Sequence, residues 1–219
     1  MEPIIELKDI NKKFGSRVIF DNLNLTISKG EMVAIMGQSG SGKTTLLNIM
    51  GLLEKADSGE VVIDNKKINR IHSRDVLLML RYKLGYVFQN FALVDNEMVW
   101  KALDVALSYV KADKREKEEK KGYALKTVNM LDKATNKIYE LSGGEQQRVA
   151  IARLMLKPCE IVLADEPTGS MDDETGNNIM KMFRDLNERG KTVIIVTHNP
   201  SVAKICDRTL VLADNKISQ

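Results

Sequence analysis

The sequence is poor in the residues that build metal centres and disulfide frameworks. Its 219 residues include two cysteines, Cys159 and Cys206, and two histidines, His72 and His198. The cysteines lie far apart and share neither a CxxC motif nor a histidine spacing, so neither a structural zinc site nor a disulfide scaffold is expected. Two scattered thiols fit a protein of a reducing cytosol.

Long hydrophobic runs and a strong excess of one charge are also absent. No apolar run approaches the roughly 18 residues of a membrane helix. The N-terminus, MEPIIELKDI, has neither the basic start nor the apolar centre of a signal peptide. The 33 basic and 30 acidic residues leave a net charge of +3, which is too even to indicate a nucleic-acid or membrane-surface binder. If the protein works at a membrane, we therefore expect another polypeptide to span it.

What the sequence does contain is an alternation of short apolar segments and helical patterns. Apolar residues make up 43% and charged residues 29% of the chain, as in a globular protein with one large domain. Strands are predicted over residues 4–7, 23–27, 32–36, 61–63, 84–88, 161–164, 192–196 and 209–212, and helices over 44–50, 173–188 and 202–206. Buried apolar strands that alternate with helices predict an α/β fold with a mostly parallel sheet.

Residues 99–130 follow a different pattern. Leu103, Ala106, Leu107 and Val110 have helical spacing, and the charged run KADKREKEEKK comes next. Because this stretch holds no strand candidate, we predict a helical insert. The charged run is interpreted as a solvated helix face rather than as a binding patch.

A glycine-rich loop follows the predicted strand 32–36 and precedes the predicted helix 44–50. Its sequence fits the phosphate-binding pattern GxxxxGK[ST] and consists of Gly37, Gln38, Ser39, Gly40, Ser41, Gly42, Lys43 and Thr44. The glycines allow backbone N–H groups to surround phosphate oxygens, and the helix N-terminus adds positive potential. Lys43 would neutralise the β- and γ-phosphates, and the Thr44 hydroxyl would bind Mg²⁺. A simple glycine turn with a surface lysine would require neither the strand before it nor the helix after it.

Two carboxylates end the apolar strand 161–164. Ligands of open α/β sheets bind at the carboxyl ends of the strands, where Asp165 and Glu166 stand. Asp165 would hold Mg²⁺ directly or through water, and Glu166 would polarise an attacking water as general base. Taken alone, acids at a strand end often only cap the next helix, but the phosphate loop favours the catalytic interpretation.

A second loop that could bind an anion lies at Leu141, Ser142, Gly143, Gly144 and Glu145, before a predicted helix. One phosphate site in a chain does not need two such loops. We therefore infer that the second loop serves the nucleotide of another copy of the chain, although the segment alone would suggest only a helix cap and a glycine turn.

The run LSGGEQQRVA resembles the signature of the ATP-binding cassette (ABC) ATPases, and further motifs of that family follow in order over nearly all 219 residues. The resemblance implies that Phe14, at a position where tyrosine is usual, stacks on adenine, that Thr45 belongs to the nucleotide site, and that Gln89 senses Mg²⁺ and faces the membrane partner. It implies that Ser170 and Asp172 contact the opposite subunit and that His198 contacts the γ-phosphate. Lys43, Glu166 and His198 are the implied catalytic residues, and Thr44, Gln89 and Asp165 the implied metal ligands.

The same resemblance implies a P-loop NTPase fold with an ABC-type core sheet, an N-terminal antiparallel β subdomain and a helical signature subdomain. All of these would form one domain over residues 1–219. Residues from about 1–90 and 159–219 would make the ATP-binding core, and residues from about 91–158 the helical subdomain.

Two stretches, residues 88–93 and 163–170, are similar to LolD/MacB-like cassettes of lipoprotein release and macrolide export. The segment NFALVDNE, with residues 99–107 after it, resembles bacteriocin export cassettes of the lactococcin type. The resemblance implies a cytoplasmic ATPase, peripheral on the inner face of the membrane, that forms a homodimer around ATP and Mg²⁺. It would drive a separate MacB/FtsX-like permease, would export a peptide, bacteriocin or drug-like substrate, and would bind no nucleic acid.

Two other functions of the same chemistry remain open from sequence. One is a mechanotransmission ATPase of the cell-division or lipoprotein-release type, which the sequence separates poorly from an exporter. The other is a cassette with no membrane partner. It is disfavoured because such relatives usually carry large coiled-coil inserts or two cassettes in one chain, whereas this chain has one cassette and no long heptad region.

Overall fold

The computed structural model describes residues 2–169 and 171–218, and within these ranges the chain forms ten strands and eight α-helices. The strands are β1 (Pro3–Phe14), β2 (Arg17–Ser28), β3 (Met32–Met36), β4 (Ser58–Ile63), β5 (Lys66–Lys67), β6 (Leu84–Val87), β7 (Ile161–Asp165), β8 (Thr192–Thr197), β9 (Arg208–Ala213) and β10 (Lys216–Ser218). The helices are α1 (Lys43–Met50), α2 (Arg74–Tyr82), α3 (Val99–Ala102), α4 (Asp104–Leu107), α5 (Lys114–Thr127), α6 (Gly143–Leu156), α7 (Asp173–Glu188) and α8 (Pro200–Ala203). In this described part of the chain, no helix combines the length and the apolar character needed to cross a bilayer.

A six-stranded sheet in the order β10-β9-β3-β8-β7-β6 forms the centre of the molecule. The five strands from β9 to β6 in this order run parallel to one another. The edge strand β10 pairs antiparallel with β9. Every residue of β7 and β8 is buried, which explains why these strands consist of nearly continuous apolar runs. The predicted mostly parallel α/β sheet is confirmed.

A second, antiparallel sheet in the order β2-β1-β4-β5 comes mostly from the N-terminal part of the chain. Its alternating burial, with Leu23, Leu25 and Ile27 buried on β2, turns one face of the sheet toward the core. The expected N-terminal antiparallel sheet is therefore present, although its strands extend well beyond the predicted segments.

Two apolar clusters cover the two faces of the central sheet. On β8, Ile194 and Val196 belong to the cluster that includes α1 and the antiparallel sheet. Val193 and Ile195 point the other way, into the cluster that includes α6 and α7. The nucleotide-facing loops are thus attached to strands that are packed on both sides.

The C-terminal helix α8 begins earlier than the predicted helix 202–206. Asn199 caps it by accepting a hydrogen bond from the Ser201 backbone N–H at 2.8 Å, and Pro200 occupies its first turn. Helix α2 has no counterpart among the predicted elements, although Ser73 caps it and its buried residues Val76 and Met79 have helical spacing. The sequence of α2 therefore contains a helix cap and apolar residues at helical spacing, but over a segment too short to be recognised as a helix.

The charged run, residues 111–121, lies mostly on α5 and is mostly a solvated helix face, but the prediction is wrong for Lys121. The Lys121 side chain is only 3% exposed, and its ammonium lies 2.8 Å from Asp104 Oδ1 and 2.9 Å from Glu118 Oε1. It also lies 4.8 Å from the centroid of the Trp100 ring. A buried lysine is tolerated here because two carboxylates and an aromatic face replace the water that it loses.

We expect Lys121→Ala to lower the free energy of unfolding by about 2 kcal/mol, because it removes two charge-assisted hydrogen bonds and buried packing. The matched control is Lys120→Ala on the exposed side of the same helix, which should change stability by less than about 0.5 kcal/mol. Urea unfolding of both variants measures the difference. Equal values for the two variants would contradict the role given to the buried ammonium.

Candidate nucleotide-binding site

A cavity of about 610 Å³ opens at the carboxyl edge of the parallel strands. The loops that follow β3, β6, β7 and β8 all reach it, together with the end of β1. Its walls are formed by Phe14, Arg17, Ile19, Ser39, Gly40, Gly42, Lys43, Thr44, Thr45, Gln89, Glu166, Gly169 and His198. Residues from five separately identified sites in the sequence therefore meet in one concave site.

The phosphate loop wraps around the start of α1. Gly42 has φ 100°, and a Cβ atom added there would lie 2.6 Å from Ile19 Cγ2, so this position requires glycine. Lys43 Nζ donates hydrogen bonds to the carbonyl oxygens of Gly37 at 2.9 Å and Gln38 at 3.1 Å. The predicted loop residues Gly37, Gln38 and Ser41 do not line the cavity, but the carbonyl oxygens of the first two hold the Lys43 ammonium in place.

The oxygen donors of Thr44 and Asp165 lie next to each other. Thr44 Oγ1 donates a hydrogen bond to Asp165 Oδ1 at 3.3 Å. Asp165 is 7% exposed, and its burial raises the pKa of the carboxyl group. Gln89, which follows β6, lines the cavity and carries an amide oxygen in its side chain. A hydroxyl, a carboxylate and an amide form a set of hard oxygen donors that suits a small divalent cation.

Glu166 and His198 form a pair at the ends of β7 and β8. Glu166 Oε1 lies 2.9 Å from His198 Nδ1, and Glu166 Oε2 accepts a hydrogen bond from Thr197 Oγ1 at 3.2 Å. The Glu166 backbone has φ 45°, a conformation that only glycine adopts freely. Such strain at a cavity wall is found mainly at functional residues.

The open side of the cavity carries an aromatic ring and an arginine. Phe14 is 50% exposed, and Lys12 Nζ lies 4.8 Å from the centroid of its ring. Arg17 pairs with Phe14 across the β1–β2 hairpin and donates a hydrogen bond to the Gly40 carbonyl at 2.6 Å. Thr45, a predicted nucleotide-site residue, lines the cavity next to Thr44.

Sequence reasoning missed four residues of this region: Arg17, Ile19, Gly169 and Thr197. Arg17 and Thr197 stand close in sequence to Phe14 and His198, which the resemblance did identify. Their roles arise from strand pairing and from side-chain contacts across the sheet, which no local pattern reports.

The signature segment lies elsewhere. None of its described residues, Leu141–Glu145, lines the cavity of its own chain. Ser142 caps α6 by accepting a hydrogen bond from the Glu145 backbone N–H at 3.4 Å, and the Ser142 backbone N–H donates to Glu145 Oε2 at 2.8 Å. Glu145 in turn pairs with Lys133, which lowers the pKa of its carboxyl group. Ser142 and Gly143 are exposed, so the N-terminus of α6 is accessible from outside.

Of the predicted dimer-loop residues, Ser170 falls outside the described residues, and Asp172 does not line the cavity. Asp172 caps α7, and its two carboxylate oxygens accept hydrogen bonds from the backbone N–H and the hydroxyl of Thr175, both at 2.8 Å. These bonds lower the pKa of Asp172.

Comparisons with known proteins agree with this geometry. The family model described as ABC transporter matches residues 20–169. The chain is 41% identical over 225 residues to the uncharacterized ABC transporter ATP-binding protein MJ0796 of Methanocaldococcus jannaschii, with 99% of this chain and 96% of that protein covered. It is 40% identical to the macrolide export ATP-binding/permease protein MacB of Neisseria meningitidis, with 98% of this chain but only 34% of that protein covered.

Solved structures give the same result. A dimeric structure of MJ0796 has a TM-score of 0.90 and 40% identity, with 99% of this chain and 97% of that chain covered. A dimeric post-hydrolysis state of the same cassette, bound to ADP and Pi, has the same TM-score of 0.90. The chain therefore belongs to the ABC transporter family, as one of its ATP-hydrolysing cassettes.

Proposed function

We propose that two copies of this chain close head to tail around two Mg-ATP molecules and drive a separate membrane permease. The observation that carries the proposal is the separation of the two phosphate-binding loops. Lys43 and the Glu166–His198 pair share one cavity, whereas Ser142 and Gly143 lie exposed and outside it. The N-terminus of α6 is therefore free to complete the cavity of another copy.

In this proposal the phosphate loop binds ATP in its own chain. Lys43 neutralises charge on the β- and γ-phosphates, and the Phe14 ring stacks on adenine. Thr44, Gln89 and Asp165 would hold Mg²⁺, which would neutralise the phosphates and orient the γ-phosphate when bound. Among the described residues, no group of three or more His, Cys, Asp or Glu side chains is arranged to hold a metal ion by itself. This suits a cation that takes few protein ligands and completes its shell with phosphate and water.

Glu166 is the proposed general base for the attacking water. Its carboxylate has one oxygen against His198 and the other against Thr197, so its orientation is fixed from two sides. His198 has a side chain that is 65% exposed, which leaves the ring accessible to a γ-phosphate. Lys43 and His198 would stabilise the charge that develops on the transferred phosphoryl group.

Dimer closure follows from the electrostatics of the two helix ends. The phosphates would bridge the positive N-terminus of α1 in one copy and that of α6 in the other. This attraction exists only while ATP is intact, because hydrolysis divides the bridging charge between two products. ATP binding therefore favours the closed dimer, and ATP hydrolysis favours the open one.

The dimeric MJ0796 structures and the ATP-binding/permease arrangement of MacB support this assignment. We propose that the permease is of the MacB/FtsX-like type, that the cassette lies on the cytoplasmic face of the membrane, and that the cargo is an exported peptide, bacteriocin or drug-like molecule. Residues from about 91–158 would form the helical subdomain that carries the signature, and residues from about 1–90 and 159–219 the ATP-binding core.

Partner identity is tested by purifying tagged Glu166→Gln protein from host membranes solubilised with Mg-ATP, with Lys43→Ala protein as the control that should not retain ATP. A permease with a few membrane helices and a large external domain supports the proposal. A many-helix permease without such a domain contradicts the MacB/FtsX-like type. Recovery only with ribosomes or DNA overturns the membrane role, although it leaves the ATPase chemistry intact.

We expect Glu166→Gln to lower kcat for ATP hydrolysis by at least about 100-fold, because the amide cannot accept the proton of the attacking water. The affinity for ATP should stay within about threefold of the wild type, since Glu166 contributes no phosphate-binding charge. Glu174→Gln, on the exposed first turn of α7, is the matched control. Turnover of Glu166→Gln at the wild-type rate would rule out Glu166 as the base.

We expect Lys43→Ala to weaken ATP binding by about 10- to 100-fold, because it removes a buried ammonium from the phosphate site. Titration with a fluorescent ATP analogue measures this, and Lys181→Ala on the surface of α7 serves as control. Unchanged affinity in a folded Lys43→Ala protein would contradict the assignment of the phosphate loop.

A further inference from the structure

The loop that carries Gln89 has a strained backbone. Two consecutive non-glycine residues, Phe91 with φ 61° and Ala92 with φ 47°, adopt the left-handed conformation. Side chains with a Cβ atom seldom take this conformation, and it persists only where the surroundings hold it. Hydrogen bonds within the loop, from Phe91 N to Phe88 O at 2.9 Å and from Ala92 N to Asn90 O at 2.7 Å, make residues 88–92 one tight unit.

Arg153 of α6 lies outside the loop and binds the backbone of its strained residues. Its two terminal nitrogens donate to the carbonyl oxygens of Ala92 at 2.6 Å and Phe91 at 2.8 Å. The planar guanidinium fork matches two neighbouring carbonyls, which a lysine ammonium would not do with the same geometry. The two strained residues are therefore the same two residues that the fork binds.

The environment of Arg153 indicates a specific role for this contact. Within residues 2–169 and 171–218, Arg153 has no carboxylate within ion-pair distance. Its burial lowers the pKa of the guanidinium, because the charged form loses water. Arg184 on α7, by contrast, pairs with Asp207 at 2.8 Å. The charge of Arg153 is compensated mainly by loop carbonyls, so its contact with the loop is its principal polar interaction.

The loop also lies beside the N-terminus of α6. A Cβ atom added to Gly143 would lie 3.9 Å from Phe91 Cζ, so the Phe91 ring faces the signature glycine with room for no more than one further carbon atom between them. Arg153 follows Gly143 by about 15 Å along the helix axis, at 1.5 Å for each residue. The Gln89 loop therefore lies beside the signature end of α6 and is bound to the helix further along, by Arg153.

We propose that Arg153 is a positioning residue that fixes the Gln89 loop to α6. Gln89 in its own cavity and the signature segment Leu141–Glu145 then move together. The movement of the loop with the helix depends only on the observed contacts, whereas its effect on catalysis rests on the proposed function. In the dimer, the state of one cavity would be transmitted through Gln89, residues 91–92 and Arg153 to the signature that serves the other ATP.

The test compares three variants of the full chain. Arg153→Met removes the fork and keeps the length of the side chain, and Arg153→Lys keeps the charge but loses one of the two bonds. Lys157→Met is the matched control, because Lys157 lies at the end of the same helix and donates to a carbonyl of a different element, Leu80 O at 2.6 Å. Each variant is measured for thermal unfolding, affinity for ATP, kcat, and backbone hydrogen exchange over residues 88–95.

We expect Arg153→Met to raise the exchange rate at residues 88–95 by at least about tenfold, because the strained turn opens more often. Its kcat should fall by at least about tenfold, while the dissociation constant of ATP stays within about twofold. Arg153→Lys should fall between Arg153→Met and the wild type in both exchange and kcat. Lys157→Met should leave exchange at residues 88–95 and kcat unchanged.

A second readout uses the Glu166→Gln background, in which ATP should accumulate the closed dimer. Adding Arg153→Met should raise the ATP concentration that gives half dimerisation by at least about tenfold, whereas adding Lys157→Met should not change it. Light scattering measures both.

The inference is overturned if folded Arg153→Met or Arg153→Lys protein matches the wild type in exchange at residues 88–95 and in kcat, or if Lys157→Met reproduces their defects. If Arg153→Met does not fold, Arg153→Lys decides by the same criteria. Failure of Glu166→Gln to dimerise while it binds ATP would count against the proposed ATP sandwich. In that case the exchange comparison still decides whether Arg153 holds the loop.

Discussion

The site depends on the register of three buried parallel strands. Met36 at the end of β3 lies opposite Thr197 of β8, and Asp165 at the end of β7 lies opposite Val196. The phosphate loop, Glu166 and His198 therefore leave the sheet at nearly the same level. A shift of one residue in this register would turn every side chain of a strand to the other face, and both apolar clusters oppose it. Packing on both faces of the sheet thus fixes the relative positions of the phosphate loop, Glu166 and His198 at its carboxyl edge.

The sequence predicted the central sheet well because its strands are buried on both faces and consist of continuous apolar runs. It predicted the long amphipathic helix α7 within its observed bounds for a similar reason, since a buried stripe leaves a clear period. It was less successful where tertiary contacts decide the conformation. Helix α2 is short, and Lys121 lies buried in a run of charges because Trp100 and two carboxylates happen to surround it.

The residues of the site also divide into those that local sequence predicts and those that depend on tertiary contacts. The glycine loop and the acids at the end of β7 follow from local sequence, since their residue types and spacing match the chemistry. Phe14, Gln89 and His198 came from the family resemblance, and no periodicity would have selected them. Arg17, Thr197 and Arg153 act through partners that are distant in sequence, as in the bonds from Arg153 to residues 91 and 92. Such contacts appear only after the chain is folded.

Three residues with a left-handed backbone lie at the cavity or in the loop that carries Gln89. Glu166 has φ 45°, and Phe91 and Ala92 have φ 61° and 47°. Each such residue costs on the order of 1–3 kcal/mol and has to be offset by packing elsewhere. The well-packed strands provide that reserve of stability, so the active edge can hold conformations that a free loop would not keep.

The bonds between Lys43 and the carbonyl oxygens of Gly37 and Gln38 have a consequence for the turnover cycle. They hold the ammonium inside the curve of the loop, so the loop's own backbone sets the position of the charge. Arrival of a phosphate can then proceed as an exchange of hydrogen-bond acceptors around one nitrogen rather than as the ordering of a collapsed loop. Departure of the products can proceed by the reverse exchange, and these bonds keep the loop preorganised for the next nucleotide.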